Sequence, residues 1–255
     1  MIKGRAPRLV VFGDSHYAAI RQAGAEGLFD ATGIDLEYWG HVGRRFNYLS
    51  FRDGAIVPVD DFTAQRFAKF NEKGRRHLPA ADFDLALFMG VRVILFPAFA
   101  TLARNAALGL RISSGLRHRI LRDQLTRSAS YGFAKGFVKA GTPVVLVPIA
   151  FPTTGCPINT LTPAEADAAD ALRPGIWAEL TAMAAQDGIT LLAQPESTVT
   201  GGLFTRAEYG VPDIAASGDH HHKNAAWGAL AMNRTLDLLR GGDLLDASGA
   251  DQLRR

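Results

Sequence analysis

The strongest constraint on the fold of this chain is an alternation along its length. Short, mainly apolar runs at residues 9–12, 34–39, 84–89, 144–149 and 189–192 are separated by longer segments whose apolar residues recur with a helical period. Runs this short and this apolar read as strands buried on both faces. The segments between them are long enough to hold crossover helices, so the strands can lie parallel. Helices are expected over 16–27, 61–73, 95–141 (broken near 113–115), 162–186 and 224–240, and aromatic residues around Asp53-Gly54 suggest a hairpin excursion within 45–60. Thr162-Pro163-Ala164-Glu165 has the order of a capping box with proline at the first helical position. Residues 194–221 show no period and are expected to form a long irregular segment. The pattern predicts a three-layer α/β/α sandwich around a five-stranded parallel, flavodoxin-like sheet. It forms a single domain over 1–240, with 241–255 as a weakly ordered C-terminal tail.

Composition narrows the function classes. Of 255 residues, 47% are hydrophobic and 21% charged, which suits a globular protein and excludes a disordered, collagen-like or coiled-coil chain. The longest apolar stretch, residues 143–152, is too short for a membrane span, so no membrane partner is expected. The net charge of +3 is small and dispersed, and nothing in it demands a nucleic-acid partner. With Cys156 alone there is no intrachain disulfide, and the opening MIKGRAPRLVVFGDS has only four consecutive apolar residues, so a cytoplasmic protein is expected. No GxGxxG or GxxxxGK[ST] follows a strand, and no cofactor is expected.

Ligands of open parallel sheets bind at the carboxyl ends of the strands. The residues expected there are Gly13-Asp14-Ser15-His16, Gly40-His41-Val42-Gly43-Arg44 and Gly90-Val91-Arg92, with Asp219-His220-His221-His222-Lys223-Asn224 before the last helix. Ser15 suits a nucleophile at a strand-to-helix turn, and it equally suits a helix N-cap. A carboxylate three residues before an imidazole can fix its tautomer, so Asp219 and His222 could activate Ser15; they could also simply cap the following helix. A metal reading of the three consecutive histidines lacks a further ligand at helical spacing, and no metal is expected. Asp14, His16, His41 and Arg44 flank these turns as candidate substrate contacts, with plain structural hydrogen bonding as the other reading. Cys156 reads as a structural thiol.

Val10-Val11-Phe12-Gly13-Asp14-Ser15 near one end and Asp219-x-x-His222-x-Asn224 near the other resemble the SGNH hydrolase superfamily, the GDSL-type esterases. The order of strands and helices resembles that superfamily's flavodoxin-like fold over most of the chain. The resemblance implies a Ser15–His222–Asp219 triad, with the Ser15 and Gly43 N–H groups as oxyanion donors and Gly40 as the fallback for Gly43. In the family's third block a Gly-x-Asn-Asp supplies a further donor. Here the residues are Gly90-Val91-Arg92, so Arg92 stands in the place of the asparagine, as an oxyanion donor or as a clamp for a substrate anion. The implied function is a serine hydrolase cleaving a small-molecule ester, a short acyl such as acetyl on a carbohydrate-like alcohol. The alternative is an acyl-transferring or non-catalytic protein binding a small polar or anionic ligand in the same cleft. The sequence leaves a homo-oligomer open.

Overall fold

A computed structural model describes residues 5–41 and 43–241, with 43–45 by backbone alone. Strand β1 (Arg8–Gly13) leads through a 3-10 turn (Ser15–Tyr17) into helix α1 (Ala18–Ala25) and then β2 (Asp35–Gly40). A 3-10 helix (Gly43–Tyr48) is followed by β3 (Leu49–Arg52), β4 (Ala55–Pro58), α2 (Asp61–Phe70) and β5 (Leu78–Pro79). Next come β6 (Leu85–Ile94), α3 (Phe96–Ala107), α4 (Ser114–Thr126), α5 (Ala129–Lys139) and β7 (Val144–Ile149). The chain continues through α6 (Pro163–Gln186), β8 (Ile189–Leu191), β9 (Val199–Thr200), β10 (Phe204–Thr205), α7 (Ile214–Ser217) and α8 (Ala225–Gly241).

Among the described residues, five strands form one sheet in the order β2-β1-β6-β7-β8, every neighbouring pair parallel. The period of two along each strand divides the core into layers. Leu9, Val11, Leu87, Val145 and Val147 face Ile20 of α1 and Trp227, Met232 and Leu236 of α8. Val10, Phe12, Phe88, Val144 and Leu146 face the other way, toward Phe99 of α3, Leu125 of α4, Phe137 of α5 and Trp177 of α6. The result is an α/β/α sandwich, and both sheet faces must be apolar because both are covered. The capping box at Thr162 is present, with Thr162 Oγ1 accepting from Glu165 N–H and Glu165 accepting from Thr162 N–H.

The structure departs from the sequence-based expectation in four places. The strand expected to stop at Gly90 runs on to Ile94, with an irregularity in its pairing to β7 between Gly90 and Ile94. The long helical region breaks at Ser113, as expected, and is cut a second time, because Ser128 caps a further helix. The hairpin of β3 and β4, turning at Asp53 and Gly54 with positive φ, gains β5 as a third strand. The irregular segment after 194 contains short helices and the β9–β10 pair. It is tied to the core by Gln194, which accepts Phe151 N–H and donates to Thr198 and Thr205. The tail expected over 241–255 lies outside the described residues except for Gly241, which ends α8. No described helix is long and apolar enough to cross a membrane.

Candidate active site

Ser15 follows β1 directly, where Asp14 caps the 3-10 turn with its side chain on His16 N–H. His222 lies in the loop before α8 and reaches back across the sheet edge. Its Nε2 is 2.7 Å from Ser15 Oγ, and its Nδ1 is 2.7 Å from Asp219 Oδ2. The Asp219 carboxylate also accepts the backbone N–H groups of His221 and His222, both at 3.1 Å. Burial on its own would raise the Asp219 pKa. The His222 N–H and ring and the His221 N–H outweigh it and hold the carboxyl below its usual range. With Nδ1–H donating a hydrogen bond to this carboxylate, Nε2 carries a lone pair that can accept the Ser15 O–H. The His222 and Asp219 side chains are 39% and 33% exposed, so the arrangement opens to solvent rather than being sealed in the core.

The end of β6 passes beside Ser15 in an unusual conformation. Gly90, Val91 and Arg92 all have positive φ, at 74°, 42° and 58°. For a β-branched valine this region is strained, at a cost on the order of 1–3 kcal/mol. Tertiary contacts hold it there. Asp14 accepts Arg92 N–H at 3.1 Å, Ser128 Oγ donates to Val91 O at 2.9 Å, and Gln124 Nε2 donates to Ile94 O at 2.6 Å. Gly90 is obligatory, since a Cβ there would lie 2.8 Å from both Asp14 Oδ1 and His16 Cβ. The Arg92 side chain is exposed and forms no ion pair among the described residues, though its charge bears on Asp14.

The flanking candidates separate. Asp14 is buried and engaged by two backbone N–H groups, so its carboxyl is a structural acceptor rather than a substrate contact. Burial raises its pKa, with those N–H groups acting the other way. His41, the other flanking candidate, is 0% exposed and lies beside Phe70, so its ring is covered in this structure. The His16 ring stacks on His222, with centroids 4.9 Å apart. Burial, followed by the charges of His222 and Lys223, lowers the His16 pKa to about 3, so it stacks as a neutral ring. Gly43 opens the 3-10 helix after β2, while the Arg44 side chain lies outside the described residues. Gly40 is the last residue of β2, level with Gly13. His220 turns its Nδ1 to Thr153 O at 3.3 Å, away from His222. Cys156 is a buried free thiol.

Sequence reasoning missed two supports of this loop. Asn224 accepts Trp227 N–H and donates to Glu208 O, which ties the start of α8 to the segment before it. Lys223 is buried, where a lysine in a charged run would be expected in solvent.

No family model matches the chain, and no curated protein does either. Among solved structures the chain is similar to the extracellular lipase of Streptomyces rimosus, with a TM-score of 0.46 and 13% identity over 90% of this chain and 99% of that one.

Proposed function

We propose that this protein is a serine hydrolase that cleaves a small carboxylic ester, with Ser15 as nucleophile, His222 as general base and acid, and Asp219 as the carboxylate that orients it. The observation that carries this reading is the unbroken chain Ser15 Oγ–His222 Nε2 and His222 Nδ1–Asp219 Oδ2, each step 2.7 Å. As Ser15 Oγ bonds to the acyl carbon, its proton passes to His222 Nε2, and Asp219 stabilises the imidazolium. The carbonyl electron pair moves onto the oxyanion, for which the Ser15 and Gly43 N–H groups are the proposed donors. His222 then gives its proton to the leaving alcohol. A water, deprotonated by the same imidazole, releases the acid and restores Ser15.

The acyl group proposed is a short one, such as acetyl. A carbohydrate-like alcohol suits the open, polar mouth. The exposed Arg92 guanidinium, without an ion-pair partner among the described residues, is the proposed contact for a substrate anion. The second reading, ligand binding or acyl transfer without hydrolysis, draws on that same residue, because a long mobile side chain replaces the short, rigid amide donor. Turnover of p-nitrophenyl acetate tests the proposal: the wild type should hydrolyse it, and Ser15→Ala should not. Absence of turnover by folded wild type, or turnover undiminished in Ser15→Ala, overturns it.

A further inference from the structure

Lys223 adjoins His222 in sequence, yet its side chain runs inward and is only 6% exposed. Its ammonium lies 3.1 Å from His220 O, 2.9 Å from His221 O and 3.5 Å from His222 O. An ammonium has three donors and no acceptor, and three successive carbonyls occupy them. No carboxylate forms an ion pair with it among the described residues, so this carbonyl cradle is its main polar environment. The loop is anchored on either side of that cradle. His220 O accepts Thr153 N–H at 2.7 Å, Lys223 is bridged to Gly210, and Asn224 N–H donates to Tyr209 O at 3.1 Å.

The two peptide planes that flank His222 carry the His221 and His222 carbonyls. Turning both toward one point sets φ and ψ at His222, and with them the direction in which its Cβ leaves the backbone. Resting on the serine-hydrolase reading above, we infer that Lys223 is the positioning residue of the triad loop: its ammonium gathers the carbonyls around His222 and so aims the imidazole at Ser15. It touches no reacting atom.

The cradle depends on charge. Burial pushes the Lys223 pKa down to about 7, with Asp219 and the Cys156 thiol acting the other way. The titratable groups that face it are Asp219 and His221 on its own loop, Cys156 from the segment after β7, and His16 from the turn after β1. His16 is neutral there, and burial and Lys223 also lower the His221 pKa, which leaves Asp219 as the negative neighbour. The three-donor ammonium is present below the Lys223 pKa and lost as pH rises through it. A neutral amine has two N–H donors, so at least one carbonyl is released. Activity should therefore fall on the alkaline side.

The test is the pH profile of kcat/KM for p-nitrophenyl acetate in wild type, Lys223→Met and Lys223→Arg, with Ser15→Ala as the blank and circular dichroism as the check on folding. Lys223→Met should lose about 10²-fold in kcat with KM little changed, the scale of a misplacement of about 1 Å. Its alkaline limb should vanish, because nothing is left to titrate. Lys223→Arg should also lack that limb, since guanidinium stays charged throughout; it carries the test alone should the methionine variant fail to fold. A wild-type profile without an alkaline limb, or a limb that persists in either folded variant, overturns the inference. Activity surviving in Ser15→Ala overturns the hydrolase reading instead, and the two failures are thereby told apart.

Discussion

Replacing Gly228 by alanine should damage the site from a distance. Helix α1 begins at Ala18, just after Ser15, and α8 begins at Ala225, just after His222. The two helices lie on the same face of the sheet, and their backbones meet at Gly228. A Cβ there would stand 2.2 Å from Ala19 O, 2.3 Å from Ala19 C and 2.6 Å from Ile20 N, all main-chain atoms that no rotamer change can move. Carbon–oxygen contacts settle near 3.3 Å, so the helices must part by about 1 Å. Overpacking of this kind costs about 1–3 kcal/mol, against a gain of about 1 kcal/mol in helix propensity. With a main-chain clash at the upper end of that range, the net loss is about 2 kcal/mol, or roughly 4–8 °C in Tm for a domain of this size. The same separation would stretch the Ser15–His222 contact of 2.7 Å and should lower kcat about 10²-fold. Thermal unfolding and ester turnover measure the two effects together. A rise in Tm, as expected for an unstrained glycine-to-alanine change in a helix, would refute the packing argument. A lowered Tm with kcat unchanged would show that Gly228 packs the layer without setting the distance between nucleophile and base.

Ser15→Ala and His222→Ala should each lower kcat by at least about 10⁴-fold and the double variant little further, because the two act as one unit. Asp219→Ala should cost less, and additive losses in the double variant would argue against a triad. Arg92→Ala should raise KM for esters bearing a carboxylate or phosphate and spare neutral ones, with Lys a poor substitute for the planar fork; equal kinetics on both classes would leave Arg92 without a role. Asp14→Asn, which leaves one of two buried N–H groups without its acceptor, should lower stability by about 1–3 kcal/mol, read as a fall in Tm.

The five-stranded sheet was legible because both of its faces are covered and its inner strands are therefore largely apolar, as in Leu9–Phe12 and Val144–Ile149. The capping box at Thr162 was legible because it is a local device. Ser15, Asp219 and His222 could be singled out because strand ends and a spacing of three residues are written in the sequence. Features that long-range contacts impose were not legible. Nothing local in Gly90-Val91-Arg92 announces a left-handed run, since valine and arginine avoid that region; Asp14, Ser128 and Gln124 hold it from distant parts of the chain. The burial of His41 depends on Phe70 and the Gly13 carbonyl, and that of Lys223 on a loop folding back over its own side chain. Charge in a sequence reads as solvent exposure, so a cation bound to carbonyls leaves no signal.

The central claim is that Ser15 is a nucleophile activated by His222. It is tested most directly by treating the folded protein with a fluorophosphonate and locating the adduct by mass spectrometry. The account predicts one adduct, on Ser15, that is absent in Ser15→Ala and forms far more slowly in His222→Ala. A folded wild type that remains unlabelled, or labelling that persists in Ser15→Ala, would contradict it.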